Sequence, residues 1–424
     1  MEYVESRRLL DTLPRFEVKP GLARIHRLLA HLGRPEWSFP AIHVTGTNGK
    51  GSVVAMLSSV LQAAGYRVGR YTSPDVVDFL DRICVDGEWI SEEAFAAIAT
   101  RLAPELSADP DVPSQFEALT AIAFQHLRES AVDIAVVEVG LGGRFDATNV
   151  VTPVLTVLTN VSLDHTAILG RTEAEIAWEK AGIAKPGVPF LSGALALDAE
   201  AVVRRECAAV GAPFQAACVP VESRGRRGRF HIYDAVGESL PREVSLPLLG
   251  VYQRENLEIA LSAVQLLRQR GWQIARDAVG AGLAAVSWPG RWEVVREAPT
   301  VILDGAHNPA AAEAVARAIE AWEPRRERRS LLLGILADKD VESVVRTLVP
   351  LFRTVGVTAS ASPRALSAED LAGHVSRYAE RCIRYDSVAE GVRELVRQAD
   401  PQDTILVTGS LTIVAEARRA GGGG

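Results

Sequence analysis

Short runs of Val, Ile, Leu and Thr alternate, from residue 41 onward, with Ala- and Leu-rich segments of helical period. Parallel strands that helices cover on both faces have this almost continuous apolar character, and each parallel crossover needs a connecting helix. The alternation therefore predicts an α/β fold with mostly parallel sheets. We predict strands at residues 41–45, 133–139, 153–159, 301–304, 330–335 and 404–408, and helices at 50–64, 115–128 and 309–322.

The chain has 424 residues, a length that indicates two or three domains rather than one core. The helix-breaking segment 287–290 (Ser-Trp-Pro-Gly) precedes a new series of strands and helices. We therefore predict a P-loop-type, mostly parallel sheet domain over residues 1–288 and a smaller Rossmann-like α/β domain over 289–424. Residues 220–245 are predicted to form a hairpin with an exposed turn, and the glycines at 421–424 to be disordered.

The composition excludes several classes of partner. The chain has 46 Lys and Arg against 53 Asp and Glu, a formal net charge of −7, so no global positive field attracts nucleic acid or anionic lipid. It contains no apolar run of about 20 residues that would span a bilayer. Residues 1–13 mix acids and arginines with Leu and do not resemble a secretory signal. These features predict a cytoplasmic protein without a nucleic-acid or membrane partner.

The four cysteines are scattered, with no CxxC pair. This usage suits a reducing compartment and offers neither a disulfide framework nor a metal site, so we interpret the thiols as inert. They are Cys84, Cys207, Cys218 and Cys382. Two arginine-rich runs, at 224–229 and 325–329, lie beside predicted turns, and we interpret both as solvated loops without a function.

A strand, a glycine-rich turn and a helix within residues 41–52 form the strongest local motif. Glycines allow backbone N–H groups to close around phosphate oxygens, and the helix N-terminus adds positive potential. Lys50 can reach the β- and γ-phosphates of a nucleotide, and the Ser52 hydroxyl can bind Mg²⁺. The spacing departs from GxxxxGK[ST], in part because Gly51 separates Lys50 from Ser52. The motif predicts a variant phosphate site, and a tight turn with an incidental lysine is the structural alternative.

Polar residues also follow the next two predicted strands. Glu138 precedes the run Gly-Leu-Gly-Gly-Arg-Phe-Asp, His165 follows a buried strand, and Lys180 lies on a helical segment further on. Because ligands bind at the carboxyl ends of parallel strands, Glu138 can complete a Mg²⁺ shell that Ser52 begins. An imidazole can ligate a metal and a lysine can contact anionic oxygens. The residues alone leave open whether His165 and Lys180 are functional or structural.

The second predicted domain contains a similar site. Asp304 ends a strand, and His307 comes just before Asn308 and Pro309 at the start of a helix. Asp304 can hold a ribose hydroxyl or a cationic amine, and His307 can bind an anion or a nucleotide. We therefore expect the two domains to close on one set of ligands. Asn308 is also expected to cap the helix whose first residue is Pro309.

Seven motifs occur in a fixed order and spacing. They are the segments 45–52, 71–74, 138–149, 163–166, 179–182, 289–291 and 304–309. Together they resemble the folylpolyglutamate synthase/dihydrofolate synthase family of the Mur ligase superfamily, from about residue 11 to residue 418. The resemblance implies an enzyme that uses ATP to activate a pteroate or folate carboxylate as an acyl phosphate. The activated carboxylate is then joined to the amino group of L-glutamate, giving ADP and phosphate.

The resemblance also implies roles for the matched residues. ATP contacts are implied for Thr47, Asn48, Gly49, Lys50, Gly51, Ser52, Asn256, Arg291 and Asp304. Two Mg²⁺ ions are implied, one held by Ser52 and Glu138 and one by Ser73, Glu138 and His165, with K⁺ as a further cation. The catalytic set is Lys50, Lys180, His165 and His307, with Lys180 carbamylated and His307 beside the glutamate and nucleotide site. The pterin contacts are Gln115, Phe116, Arg144 and Asp146.

One residue departs from the family pattern. Asp75 stands where many relatives have a histidine after Ser-Pro. A carboxylate that faces a polyglutamate tail would repel it, so we predict weaker activity on long tails unless Asp75 points to solvent.

Two other functions fit part of the sequence. Another Mur-type acid–amino acid ligase, such as a cell-wall precursor ligase, would share the phosphate loop, but that loop begins too early for a preceding UDP-sugar domain. A nucleotide switch would need neither His307 nor a second α/β domain. The sequence leaves open whether the first glutamate goes to dihydropteroate, later ones to reduced folates, or both. We expect a monomer, because no helical seam requires a partner.

Overall fold

A computed structural model describes residues 1–15, 21–106, 111–224, 228–233 and 239–421. The helices are α1 Tyr3–Asp11, α2 Ala23–His31, α3 Lys50–Ala63, α4 Glu92–Leu106, α5 Gln115–Glu129, α6 Thr166–Leu169, α7 Glu173–Ala181, α8 Leu197–Val210, α9 Gln253–Gln269, α10 Arg276–Ala284, α11 Pro309–Trp322, α12 Val341–Leu348, α13 Ala368–Val375, α14 Val388–Gln398 and α15 Leu411–Gly421. The strands are β1 Ala41–Thr45, β2 Val68–Tyr71, β3 Ile83–Val85, β4 Glu88–Trp89, β5 Ile134–Glu138, β6 Pro153–Leu158, β7 Phe190–Ser192, β8 Phe214–Ala216, β9 Val221–Ser223, β10 Arg229–Ile232, β11 Glu243–Ser245, β12 Glu293–Glu297, β13 Thr300–Leu303, β14 Arg329–Leu333, β15 Thr354–Val357, β16 Cys382–Arg384 and β17 Thr404–Thr408.

The larger sheet has eight strands in the order β4-β3-β2-β5-β1-β6-β7-β8. Strands β2, β5, β1, β6, β7 and β8 run parallel, whereas β3 and β4 form an antiparallel edge. Strand β1 lies in the middle, and its residue His43 is in register with Val137 of β5 and Thr156 of β6. The glycine-rich loop that follows β1 therefore leaves from the centre of the sheet.

The smaller sheet has six strands in the order β12-β13-β17-β14-β15-β16. Five of them run parallel, and β12 pairs antiparallel with β13 at the edge. Two mostly parallel sheets in two domains confirm the predicted α/β class. The six predicted strands correspond to β1, β5, β6, β13, β14 and β17, and the three predicted helices to α3, α5 and α11.

Helices cover both faces of the larger sheet, which explains the continuous apolar runs of its strands. On one face, Met56 and Leu57 of α3 pack with Leu257 and Leu261 of α9. On the other face, Phe124 of α5 packs with the helices near the N-terminus, including Leu28 of α2. All six residues are fully buried or nearly so. Burial of one such side chain contributes about 1.5–3 kcal/mol, so these faces fix the position of the central strands.

The segment predicted as a hairpin forms a small three-stranded antiparallel sheet instead, in the order β11-β10-β9. The third strand, β11, escaped the sequence pattern because its residues Glu243 and Ser245 are exposed and only Val244 is buried. Part of the first arginine-rich run, at 225–227, lies outside the described residues.

The interpretation of the second arginine-rich run as a solvated loop is wrong for Arg329. This residue begins β14 and is only 4% exposed. Its guanidinium donates hydrogen bonds to the carbonyl oxygens of Glu323 at 2.5 Å and Leu351 at 3.2 Å. Because these carbonyls replace water, the charged head is tolerated inside the domain.

The remaining predictions on organisation concern the linker and the ends of the chain. The boundary near residue 288 stays a prediction; it falls between α10 and β12, the first strand of the smaller sheet. Gly421 ends α15, and residues 422–424 lie outside the described residues. All four cysteines are free. Among the described residues, none of the helices has the length and apolar character that crossing a bilayer requires.

Candidate active site

A cavity of about 1410 Å³ lies between the two sheets, and residues of both domains line it. Its walls are the segments that follow β1, β2, β5 and β6 in the larger sheet and β13, β14 and β17 in the smaller one. Both sheets thus direct the carboxyl ends of parallel strands at one space, which is the usual position of a ligand site in such folds. The predicted residues in its lining are Thr47, Asn48, Gly49, Lys50, Gly51, Ser52, Ser73, Phe116, Glu138, Asp146, His165, Lys180, Asn256, Arg291, Asp304 and His307.

The loop after β1 is held in shape by the loop after β6. The backbone N–H of Thr47 donates to the carbonyl of Asn160 at 3.0 Å, and that of Asn48 donates to the Asn160 side chain at 2.9 Å. Gly46 has φ +151°, and a Cβ there would lie 1.8 Å from the Thr159 hydroxyl. Gly49 has φ +81°, a left-handed conformation that favours glycine. The close approach of the two loops therefore requires these glycines.

Lys50 begins α3 and faces Glu138 at the end of β5. Its Nζ donates to the carbonyls of Gly46 at 3.1 Å and Thr47 at 3.3 Å, and lies 4.0 Å from Glu138 Oε1. Burial lowers the pKa of Lys50, although Glu138 and Asp164 act in the opposite direction. Burial also raises the pKa of Glu138, against the effect of Lys50. The partly buried Lys50 ammonium and the buried Glu138 carboxylate are at the outer limit of an ion-pair distance. Both groups can therefore bind further charged groups.

Lys180, on α7, is only 3% exposed although it lines the cavity. Burial, helped by the positive charge of Lys50, lowers the pKa of Lys180 to about 7. A lysine in this environment has a large neutral fraction near pH 7, and the neutral amine is the nucleophilic form. The sequence left open whether Lys180 has a functional or a structural role, and this environment favours a functional one.

Asp164 of the first domain contacts several residues of the second. It follows β6, and its carboxylate accepts hydrogen bonds from Lys339 Nζ at 2.8 Å and Asn308 Nδ2 at 3.0 Å, both from the second domain. His307 Nε2 lies 3.5 Å from the same carboxylate. Although burial opposes it, His307 and the charge of Lys339 hold the pKa of Asp164 well below its usual value. We call Asp164, Lys339, His307 and Asn308 the interdomain network.

His165 borders this network. Its Nε2 accepts a hydrogen bond from Lys339 Nζ at 3.1 Å, so the ring proton is on Nδ1. Burial lowers the pKa of His165 to about 4, with Asp164 acting in the opposite direction and Lys339 in the same one. The imidazole is therefore neutral at pH 7.

Asn308 does more than the capping that the sequence predicted. Its side chain accepts from the N–H of Ala311 at 2.9 Å, which confirms the cap of α11. The same side chain contacts Asn48 of the phosphate loop at 3.0 Å. The start of α11 is thus tied directly to the loop of the other domain.

Asp304 lies at the end of β13 and is only 3% exposed. One carboxylate oxygen accepts from the hydroxyl of Tyr252 and from the N–H of Trp292 at 2.9 Å; the other accepts from the N–H of Ala306 at 2.9 Å. Burial raises the pKa of Asp304, with Arg291 as the main opposing charge. The bond from Tyr252 connects Asp304 to the residue just before α9. Asn256 lies in the first turns of this helix.

Asn256 and Ser52 are linked through Gln253, which the sequence did not single out. Gln253 donates from its side-chain Nε2 to the Ser52 hydroxyl at 3.3 Å and accepts from Asn256 Nδ2 at 2.8 Å. A Cβ on Gly49 would lie 2.2 Å from Asn256 Oδ1. The predicted nucleotide residues of α9 therefore border the start of α3.

Two predicted pterin residues do not line the cavity. Gln115 donates to the carbonyl of Leu10 at 3.2 Å and to Asp11 at 3.1 Å, so its amide is engaged with the end of α1. Arg144 pairs with Glu206 at 2.7 Å and lies over the ring of Trp178, 3.8 Å from its centroid. Both side chains are held by structural contacts that the sequence could not reveal.

The other two pterin residues do line it. Phe116 stacks on Tyr71 with ring centroids 6.0 Å apart, and its ring closes against Gly140. Asp146 accepts from the N–H of Leu141 at 2.8 Å and from the N–H of Thr148 at 3.0 Å. An aromatic face and a fixed carboxylate thus lie on the same wall of the cavity.

Sequence reasoning missed Asp164 as a functional residue, although it quoted the motif that contains it, and it missed Lys339 and Tyr252. Lys339 follows the end of the predicted strand 330–335, so the rule that strand ends carry ligand residues would have found it. Tyr252 gave no such signal, because it precedes a helix and its partner Asp304 is 52 residues away.

The residues that would hold Mg²⁺ fit that ion in part. Ser52 and Glu138 offer hard oxygen donors beside Lys50, whose Nζ lies 4.0 Å from the buried Glu138 carboxylate. The N–H of Ser73 also approaches Glu138, at 3.4 Å. In this structure His165 is engaged by Lys339 instead. Among the described residues, no group of three or more His, Cys, Asp and Glu side chains is arranged to hold a metal.

Comparison with known proteins matches this site to one family. Residues 44–264 match the model described as the Mur ligase middle domain, and residues 290–411 match the Mur ligase glutamate ligase domain. The chain is 36% identical to the dihydrofolate synthase/folylpolyglutamate synthase of Bacillus subtilis, with 98% of each chain covered. It is 37% identical to the folylpolyglutamate synthase of Lacticaseibacillus casei, over 99% of this chain and 98% of that one. The chain belongs to the folylpolyglutamate synthase/dihydrofolate synthase family of Mur ligases.

Solved structures of this family have the same fold. Escherichia coli FolC in complex with DHPP and ADP aligns with a TM-score of 0.87 at 31% identity, over 99% of this ligase and 97% of that chain. The folylpolyglutamate synthase of Mycobacterium tuberculosis complexed with ADP and AMPPCP aligns with a TM-score of 0.87 at 35% identity, over 99% of each chain. The protein is therefore an ATP-dependent glutamate ligase, and the full-length match favours this function over a cell-wall ligase or a nucleotide switch.

Proposed function

We propose that this ligase phosphorylates the carboxylate of dihydropteroate or of a reduced folate with ATP and then joins it to L-glutamate. The proposal rests on one observation: the phosphate loop of one domain faces the interdomain network across the same cavity. Such a cavity brings an acyl phosphate and an amine together and keeps water away from the reactive intermediate.

In the first step the substrate carboxylate attacks the γ-phosphorus of ATP and ADP leaves. Two anions must approach, so positive charge has to be supplied at the phosphates. Lys50 and the N–H groups of the loop from Gly49 to Ser52 provide it, with Arg291 facing them from the second domain. We assign Asn256 and Asp304 to the nucleotide as well, because both line the same end of the cavity.

Residues of the first domain would hold Mg²⁺ beside the phosphates. Ser52 and Glu138 would hold one ion, and Ser73, Glu138 and His165 a second after His165 turns from Lys339. Bound Mg²⁺ supplies charge neutralisation at the transferring phosphoryl group. K⁺ stays a prediction to which no residues are assigned.

Lys180 is proposed to carry a carbamate. Its neutral amine attacks CO₂, a new N–C bond forms, and the amine proton is lost to solvent, which converts a buried cation into an anion. The low pKa of Lys180, about 7, makes the neutral amine available near physiological pH. The resulting carboxylate would face Lys50, whose charge now disfavours the ammonium form.

In the second step the glutamate amine attacks the acyl carbon and phosphate leaves. The amine has to lose a proton, and we assign His307 as the acceptor because its ring is oriented by a hydrogen bond from Nδ1 to the carbonyl of Gly305 at 2.9 Å. The opposite ring nitrogen faces Asp164, which can stabilise the imidazolium that forms.

For the pterin end we propose Phe116 and Asp146 as contacts, an aromatic face and a polar edge suited to a flat heterocycle. Gln115 and Arg144 act on this wall indirectly, by holding α5 and the loop after β5 in place. We further propose that the enzyme works as a monomer in the cytoplasm, where ATP and free thiols such as its four cysteines are found.

The test is ADP release by the purified ligase with Mg-ATP and L-glutamate, comparing dihydropteroate, tetrahydrofolate and no pterin, with product masses read in parallel. Release that requires a pterin and a mass gain of one glutamyl unit are the expected results, and the better pterin defines the activity. Pterin-independent release, or none in protein that still binds ATP, would overturn the proposal.

A further inference from the structure

A second cavity, of about 400 Å³, lies along α3 beyond the first turn that borders the active site, and we call it the linker cavity. Its wall combines Ser58 of α3, Arg70 of β2, Trp288 of the interdomain linker and Arg418 of α15. Both domains and the segment that joins them therefore meet around it. Its volume is within the range of about 300–1,000 Å³ that small-molecule sites occupy.

Three buried polar atoms of this wall have no hydrogen-bond partner within the described part of the chain: Ser58 Oγ, Arg70 Nε and Trp288 Nε1. Ser58 is only 4% exposed. Buried polar groups in native proteins are almost always satisfied, so three together indicate that something else binds there. Two of the three are N–H donors without acceptor capacity, and the hydroxyl can also donate. The matching ligand atom is therefore a hydrogen-bond acceptor.

The charge of the wall points to an anion. Arg70 forms no ion pair with an acid among the described residues; its guanidinium donates to the neutral sulfur of Cys84 at 3.0 Å and lies 5.2 Å from the ring centroid of Trp288. Arg418, in contrast, is paired with Glu293 at 3.0 Å. The one carboxylate in the lining, that of Asp81, is occupied by the backbone N–H groups of Val76 at 2.9 Å and Val77 at 2.7 Å and also accepts from Asp78 at 3.3 Å.

The linker cavity is connected to the nucleotide site through Trp288. A Cβ on Gly51 of the phosphate loop would lie 2.5 Å from the indole of Trp288, so the two are in tight contact. A ligand that binds the indole N–H fixes this ring and, with it, the start of α3. Any ligand that prefers one arrangement of the two domains also shifts the affinity of the nucleotide site, and the effect is reciprocal.

We propose that the linker cavity is a second ligand site that takes a small molecule bearing an oxyanion, held by Arg70, Ser58 and Trp288, and that its occupancy is coupled to nucleotide binding. The oxyanion can belong to a phosphate or to a carboxylate, and the body of the ligand would contact Val76 and the indole ring. This site is separate from the substrates of the proposed reaction.

Calorimetric titration of the full-length protein with inorganic phosphate and, separately, with benzoate tests the proposal and distinguishes the two oxyanions. The Lys50→Ala variant removes phosphate binding at the active-site loop, so binding that persists in it belongs to the linker cavity. We expect at least one probe to bind this variant and to lose affinity tenfold or more when Arg70→Gln is added. Arg67→Gln removes the same charge from an exposed position outside the cavity and is expected to change nothing.

A second variant, Ser58→Leu, fills the cavity without removing the guanidinium and is expected to abolish binding as well. Unchanged ADP affinity and thermal unfolding show that both variants are folded. In the otherwise wild-type protein, a saturating probe is expected to change the ADP dissociation constant by a factor that differs threefold or more from its effect on the Arg70→Gln protein, in which only competition at the active-site loop remains. No heat with either probe, or equal binding with and without Arg70, overturns the site; an equal effect on the ADP affinity of the two proteins overturns the coupling.

Discussion

Burial of Lys180 links the charge of one side chain to both stability and activity. In the unfolded chain its pKa is near 10.4, whereas in the folded protein it is about 7. Between these two pH values the unfolded state binds a proton that the folded state does not. Stability therefore decreases as the pH falls from about 10.4 to about 7, and this contribution is level below that.

We predict that Lys180→Met abolishes ligase activity yet raises the free energy of unfolding at pH 7 by a few kcal/mol, on the order of what such a pKa shift represents. Lys180→Arg, which keeps a charge that cannot be lost, is expected to be inactive and less stable. Urea unfolding between pH 7 and 10 in CO₂-free buffer measures the stability of both variants, and the ADP-release assay measures their activity. A Lys180→Met protein that retains the pH slope of the wild type would contradict the assignment.

The sequence suggested that the Asp75 carboxylate would repel a polyglutamate tail directly, but the structure pairs this carboxylate with an arginine. Its carboxylate forms an ion pair with Arg82, a residue that lines the active-site cavity. Although burial opposes it, Arg82 holds the pKa of Asp75 below its usual value. Asp75 itself is not in the cavity lining, so it limits tail binding by occupying Arg82 more than by direct repulsion.

We therefore predict that Asp75→Asn raises kcat/KM for triglutamate relative to monoglutamate folate by roughly fivefold, equivalent to about 1 kcal/mol for a partly exposed charge pair. Asp86→Asn, an exposed acid in the turn after β3, is the matched control and is expected to leave the ratio unchanged. Equal rates of the wild type on mono- and triglutamate folates would contradict the premise that long tails are poor substrates.

At the scale of single elements, the start of α3 has no room for a side chain. Gly51 lies in the first turn, and the indole of Trp288 occupies the space where a Cβ would be, 2.5 Å away. The ring belongs to Trp288 of the interdomain linker, so displacement of the ring also displaces the linker. Helix propensity alone would favour alanine at this position.

Gly51→Ala is expected to weaken ADP binding about tenfold and to lower stability by about 1–3 kcal/mol, the usual cost of overpacking. Gly280→Ala, in α10, is the control: nothing lies within 4 Å of its Cβ, so we expect a gain of about 0.5–1 kcal/mol from the reduced freedom of the unfolded chain. Calorimetry with ADP and thermal unfolding measure these changes. A Gly51→Ala protein as stable as Gly280→Ala would contradict the packing argument.

The elements were predictable from the sequence to the extent that their signals are local. Strands such as β1 and β17 are buried on both faces, so their apolar runs were sufficient. Strand β11 was missed because one residue of its three is buried. Arg329 was misjudged because its acceptors, the carbonyls of Glu323 and Leu351, have no sequence signature. The sequence analysis identified the polar residues at the ends of the buried strands. It did not identify the residues that contact them.

At the scale of the whole molecule, the interdomain network determines whether the cavity is complete. Asp164 comes from the first domain, and Lys339, His307 and Asn308 from the second. The side chain of Lys339 is only 6% exposed, and its ammonium group is paired with the Asp164 carboxylate at 2.8 Å. Removal of one member of a buried pair costs about 3–5 kcal/mol when the other charge is left unpaired.

We predict that Asp164→Asn lowers kcat about a hundredfold, raises KM for L-glutamate and increases the radius of gyration in X-ray scattering, because the domains separate. A double-mutant cycle with Lys339→Met is expected to give a coupling energy of about 1–3 kcal/mol. Asp340→Asn, which removes an exposed charge next to Lys339 and still caps α12, is expected to behave as the wild type. Additive effects of Asp164→Asn and Lys339→Met would contradict the network.

The position of β1 between β5 and β6 also has a consequence for synthesis of the chain. The loop after β1 receives its shape from Thr159 and Asn160, more than a hundred residues downstream. A nascent chain on the ribosome that has not yet exposed residue 160 therefore lacks the partners that hold the loop. The shape of this loop is therefore completed late in translation, although the loop itself is among the first segments to emerge.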